Sequence, residues 1–235
     1  MAARLVVLDT ETTGLNARLG DRVVEIGCIE IVDRRVTEKR FHVYLNPERA
    51  SEEAAERIHG LTAEFLADKP RFGEVAKEFL DYVQGAEVVI HNAAFDVEFL
   101  DQELELAGLG KFTDHCVGVS DTLVRARELH PGKRNNLDAL CERYGVDNSH
   151  RTFHGALLDA SLLAEVYLAM SRGQESLIVE TDSPQVVAGG TATFDASQLV
   201  VVVATADELA EHEKILAAID QESKGRTLWR ALEKA

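Results

Sequence analysis

Apolar positions recur with a period of two in the first part of the chain. Residues 4–9 carry the run Val6, Val7, Leu8 and read as a buried strand. Residues 22–33 alternate through Val24, Ile26 and Cys28 to Ile31, and residues 40–47 through Phe41, Val43 and Leu45, so each predicts a strand. The charged segment 32–38 reads as a hairpin turn. The first three strands are therefore expected to form an antiparallel meander.

The period then lengthens to that of a helix. Ser51 is a suitable N-cap for a helix that stops near His59 and Gly60, and Thr62 starts a short second piece. Over 71–85, Phe72, Val75, Phe79 and Val83 fall on one helical face, and Gly85 ends it. Residues 87–91 predict a short buried strand, 94–110 a helix, 116–123 a fifth strand running into a turn, and 135–146 a helix ending at Gly145. The longest apolar helix is expected over 155–173, stopping at Gly173.

From about residue 174 the periodicity fades. Pro184 and the pair Gly189, Gly190 mark 174–190 as a linker. A β-like apolar run from Leu199 and an amphipathic helix near 206–219 follow. This tail, 191–235, is too small to build its own core and is expected to order on a partner. The pattern thus gives a mixed α/β body over 1–173, a linker over 174–190 and a flexible C-terminal tail.

Composition changes this picture in three ways. With 46% hydrophobic but 6% aromatic residues among 235, the core must be largely aliphatic. No apolar run is long enough to span a bilayer, and the N-terminus meets acids too soon for a secretory signal, so a cytoplasmic protein with no membrane partner is expected. Cys28, Cys116 and Cys141, without a CxxC pair, fit reduced core residues. The formal net charge of −16 opposes a protein that coats long duplex DNA, which needs many Lys and Arg.

Four acids then stand out. Asp9 and Glu11 follow the first apolar run and, two apart on a strand, point to one face. Side by side they repel, and a divalent cation with hard oxygen ligands would resolve the conflict. The alternative is a turn-capping Asp with a solvated Glu. Asp96 sits in the first turns of the helix after His91 and Asn92, flanked by Phe95, Val97 and Phe99; it is either surface decoration or a placed ligand. Asp159 interrupts Leu157, Leu158, Leu162 and Leu163, where an unpartnered acid is costly to bury. His154, five residues earlier, can swing beside Asp159 or serve as a helix cap. Together, four acids on three elements with one histidine form the pattern of two-metal phosphodiester hydrolysis, with the histidine as general base.

DTETTGL, HNAAFD and HGALLD, in this order and spacing, resemble the three motifs of the DEDDh 3′–5′ exonucleases. The segments FHVYLNPER, IHGLTAEFL and GKRNNLDALCERYGVDN extend the likeness across the body to the proofreading subunits of bacterial replicative DNA polymerases. The resemblance implies a ribonuclease H-like mixed sheet flanked by helices. It implies Asp9, Glu11, Asp96 and Asp159 as ligands of two divalent cations, Mg2+ or Mn2+, and His154 as the catalytic base. It implies that Thr10, Thr13, Gly14, Leu15, His59, Asn92 and Phe95, together with Asp9, Glu11 and Asp159, line the terminal nucleotide. A family glutamate before the IHG segment falls here at Ala54, with Glu53 adjacent, so that contact is in doubt.

The tail carries further expectations. Gln174, Ser176, Leu177 and Ile178 resemble a short sliding-clamp-binding motif; the alternative is a chance string. Leu228 and Trp229, the latter the only tryptophan, resemble the segment that binds the polymerase catalytic (alpha) subunit. A small accessory, theta-like subunit is a further partner of such proteins. The polymerase and clamp would then hold the DNA and deliver a frayed 3′ end, which reconciles the acidic body with a DNA substrate. A free-standing exoribonuclease, or a scaffold subunit with a vestigial site, are the competing readings.

Overall fold

The computed structural model describes residues 4–149, 151, 153–175, 204–223 and 229. A five-stranded sheet is built from β1 (Arg4–Thr12), β2 (Val23–Val32), β3 (Arg35–Tyr44), β4 (Glu87–Ile90) and β5 (Gly118–Asp121), in the spatial order β3-β2-β1-β4-β5. β1, β2 and β3 pair antiparallel, as the alternation predicts, whereas β4 joins β1 in parallel and β5 joins β4 in parallel. The turn expected over 32–38, between β2 and β3, is shorter than predicted. It closes on Asp33 and Arg34, both with positive φ, which matches the twist of a two-residue hairpin.

The helices are α1 (Glu53–His59), α2 (Ala63–Leu66), α3 (Phe72–Val83), α4 (Ala93–Leu106), α5 (Thr122–Leu129), α6 (Leu137–Tyr144) and α7 (Ala156–Glu175), with α8 (Ala206–Glu222) in the tail. Strand alternation sends Val6, Leu8, Ile26, Cys28 and Phe41 to one face, where Phe72 and Phe79 of α3 and Phe99 of α4 cover them. Val7, Ile29, Ile31 and Val89 face the other way, against Leu140 of α6 and Leu163 and Val166 of α7. All three cysteines are free; Cys28 and Cys141 are buried, Cys116 partly so. Among the described residues, no helix is long and apolar enough to cross a membrane.

Several boundaries depart from expectation: the helix predicted over 94–110 ends at Leu106, Glu52 and not Ser51 stands at the N-cap of α1, and three further differences bear on the assignments. β1 does not stop at Asp9 but runs on to Thr12, so Glu11 as well as Asp9 lies inside a strand paired on β2. The strand expected over 116–123 ends at Asp121, and in place of the expected turn stands α5, because the Asp121 carboxylate accepts from the amides of Leu123 and Val124 and caps a new helix. α7 continues through Gly173 to Glu175, so Gln174 belongs to a helix and not to a linker.

One close approach fixes the position of α7. A Cβ on Gly27 of β2 would lie 2.3 Å from the backbone of Ala156 and Leu157, so only glycine lets the start of α7 rest on the sheet. Gly27 is the partner of Asp9 in the β1–β2 ladder. The close fit therefore seats the first turn of α7, with Asp159, beside Asp9.

The chain divides into two units, Met1–Thr181 and Asp182–Ala235. In the second, Thr205 and Glu208 form a capping box at the start of α8, close to the predicted helix, and the Trp229 ring meets the His212 ring edge-on at 5.9 Å between centroids. The expected β-like run near Leu199, together with Ser176, Leu177, Ile178 and Leu228, lies outside the described residues.

Candidate active site

β1 brings Asp9 and Glu11 to one face, α4 adds Asp96 and α7 adds Asp159. Asp96 and Asp159 are both buried. Asp96 is held by the Thr10 hydroxyl, which donates to its Oδ1 at 2.7 Å. That side chain is thereby committed to the carboxylate. The ligand atoms of Glu11, His154 and Asp159 come within 4.8 Å of one another.

The electrostatics are those of clustered, buried acids that the single guanidinium of Arg151 only partly offsets. Burial first, then the charges of Asp96, Glu11 and Asp159, hold the Asp9 carboxyl well above the usual carboxylate range. Burial, followed by Asp159 and Glu25, pushes Glu11 up to about 8. Burial pushes Asp96 up to about 7 against the opposing Thr10 hydrogen bond. Asp159 Oδ1 is buried with no hydrogen-bond partner among the described residues. An orphaned carboxylate oxygen amid hard oxygen donors is what a magnesium- or manganese-like cation would satisfy, so the residues present fit that class of ion.

His154 sits just before α7, half exposed, with Nδ1 3.5 Å from Asp159 Oδ2. Its backbone N–H donates to Ile58 O at 3.0 Å, and Phe153 lies over Gly60, so this loop is pinned to the end of α1. The same helix end carries His59. His59 is buried; its Nδ1 accepts from Leu61 N–H, its Nε2 has no partner among the described residues, and burial lowers its pKa.

The remaining expected residues lie on the 13–21 loop and around the start of α4. Thr13 Oγ1 donates to Asp21 Oδ1, and a Cβ on Gly14 would collide with the Asp21 carboxylate, so the 13–21 loop is wrapped around this buried acid. Leu15 stands at the loop tip, 81% exposed. Phe95 packs on Phe99 at 4.9 Å between centroids. Asn92 has φ +67 and makes no side-chain cap. The Asp121 carboxylate takes the Asn92 and Ala93 amides instead, leaving the exposed Asn92 amide group for a ligand.

Sequence reasoning missed four residues here. Asp121 joins the starts of α4 and α5, and Asp21 anchors the 13–21 loop. Glu25 is buried opposite Glu11 in the ladder, with its carboxylate 2.8 Å from His42 Nε2. Arg151 reaches Asp159 Oδ2 at 2.5 Å and His154 Nδ1 at 2.8 Å, and its other arm meets Asp138 Oδ1. Asp121 had a legible signal, an acid directly before Thr and an apolar run. Arg151 had none, since its partners come from across the fold.

Residues 6–167 match the protein family described as Exonuclease. The chain is 51% identical to DNA polymerase III subunit epsilon of Escherichia coli over 97% of this chain and 98% of that protein, and 48% identical to that of Pasteurella multocida over 96% and 93%. Among solved structures it resembles exonuclease X in complex with 5′-overhanging duplex DNA, with TM-score 0.57 and 25% identity over 73% of this chain and 93% of that one. A complex of E. coli exonuclease I with single-stranded DNA and zinc shares the fold, with TM-score 0.65 at 19% identity over 74% and 42%. The chain belongs to the exonuclease family, among the DNA polymerase III epsilon subunits.

Proposed function

We propose that the chain removes mispaired nucleotides from a DNA 3′ end as 5′-monophosphates, by hydrolysis at the four carboxylates with His154 as base. The observation that carries this reading is the convergence of Asp9, Glu11, Asp96 and Asp159 from β1, α4 and α7, with an orphaned carboxylate oxygen and His154 beside it. When bound by these carboxylates, two divalent cations, Mg2+ or Mn2+, would supply charge stabilisation for the attacking and leaving oxygens.

The protein's own groups do the rest. His154 Nε2 takes the proton of the attacking water when Nδ1–H faces Asp159 Oδ2. His59 Nε2, the Asn92 amide group, Phe95 and the 13–15 segment hold the terminal nucleotide. Thr10 keeps Asp96 in place. Selectivity comes from fraying, since a mispaired terminal base costs less to unstack.

Trp229 and the neighbouring Leu228 anchor the polymerase catalytic subunit. The segment from Gln174 to Ile178 docks on the sliding clamp, and a theta-like subunit is a further partner of the body. The resemblance to epsilon subunits supports these assignments.

A primer–template with a matched or mispaired 3′ nucleotide tests the activity. With magnesium, the mispaired primer should lose its end faster and release a nucleoside 5′-monophosphate. Release of 3′-phosphates, or shortening from the 5′ end, would overturn the reading.

A further inference from the structure

A cavity of about 720 Å³ opens where β4 passes into α4, lined by His91, Asn92, Arg127, Lys133, Asn135 and Asn136. β1 and β4 run parallel with Val7 opposite Val89. Continuing that register by two residues sets His91 level with Asp9. The cavity therefore adjoins the carboxylates on the α4 side, with Asn92 at the boundary.

Its charge is opposite to that of the chain. Residues 125–143 hold five cations, Arg125, Arg127, Lys133, Arg134 and Arg143, against Glu128, Asp138 and Glu142, in a chain of net charge −16. Of the nearby acids, Asp138 is engaged by Arg151 and Asn148, and Asp121 by four backbone amides. Arg127 and Lys133 are exposed, and among the described residues neither is ion-paired with a carboxylate. The turn that presents Lys133 is tied by hydrogen bonds. Buried Asn135 donates to His130 O and Lys133 O and accepts from Arg143. Among the described residues, no Phe, Tyr or Trp lines the cavity to stack on a base, so its chemistry suits backbone phosphate.

We propose that this cavity binds backbone phosphates of the polynucleotide whose 3′ end lies at the carboxylates, with Arg127 and Lys133 as its cationic groups. The proposal rests on the exonuclease reading and adds a subsite to it. It gives the acidic body a local track for one strand.

The test compares the full chain with its R127Q/K133Q variant on two substrates in magnesium. One is an aryl ester of thymidine 5′-monophosphate, which has no upstream phosphate; the other is a long oligothymidylate. The variant should lose about tenfold in kcat/KM on the long strand, through KM, while the ester changes by less than about twofold. The log–log salt dependence should flatten by about 1.4, at about 0.7 for each single-strand phosphate that is no longer neutralised. R127K/K133R should restore both. An unchanged KM and salt slope on the long strand would overturn the proposal, as would an equal loss on both substrates. A wild-type chain that cleaves neither substrate would instead overturn the exonuclease reading.

Discussion

Arg151 Nη2 stands 2.5 Å from Asp159 Oδ2 and 2.8 Å from His154 Nδ1, so one guanidinium holds both residues that α7 and its leading loop bring to the site. A guanidinium can only donate, so Nδ1 accepts here and the neutral ring carries its proton on Nε2. That tautomer cannot take a proton from water at Nε2. Arg151 thus acts as the countercharge of the metal-free site and holds the base in reserve. Arg151→Gln should lower stability in chelator by about 2 kcal/mol, or roughly 4–8 °C in Tm. In excess manganese the loss should be smaller. Thermal melts in EDTA and in manganese check this, and an equal loss in both would contradict it.

The raised carboxylates set the pH dependence of the metal-free protein. Glu11 goes from an ordinary value of 4.5 to about 8, and Asp96 from 3.8 to about 7. A carboxyl with a raised folded-state pKa binds its proton more tightly when folded. Its stabilising effect is full below the unfolded value and is lost as pH rises through the folded one. Tm in chelator should therefore fall between about pH 4.5 and pH 8. Cations that neutralise the acids should flatten this slope and bind more tightly as pH rises, because they displace protons. Melts and manganese titrations across that range decide the point.

Gly27 is the residue through which the sheet fixes α7. Gly27→Ala places a methyl 2.3 Å from the Ala156–Leu157 backbone. Overpacking of this kind costs about 1–3 kcal/mol, and the shift of Asp159 should reduce hydrolysis more than the loss of folded protein explains. Tm and kcat measured on the same preparation separate the two effects.

Trp229 is 57% exposed, and its ring meets the His212 ring edge-on. As an interface anchor it should carry about 2 kcal/mol of polymerase binding. Trp229→Ala should weaken binding to the polymerase catalytic subunit about 30-fold in a calorimetric titration, and single-strand hydrolysis should keep its rate.

The meander, the helical faces around Phe72 and Phe79, and the acid positions were legible because each is a local periodicity or a spacing within one element. The continuation of β1 through Asp9 and Glu11 was not, since two acids read as a strand end unless the partner strand is known. α5 was missed although its cap, Asp121, stands directly before Thr122 and an apolar run, a signal the sequence does carry. Arg151, Glu25 and the fit of Gly27 under α7 depend on segments far apart in sequence meeting in space, which no local pattern carries.

The most direct measurement follows a 5′-labelled single-stranded DNA with the full chain and magnesium, beside an EDTA control and His154→Ala. A ladder shortening from the 3′ end, abolished by EDTA and slowed about 10²–10⁴-fold by His154→Ala, is the predicted result. A strand left intact by the wild-type chain, or shortening that persists in EDTA, would contradict the metal-dependent exonuclease.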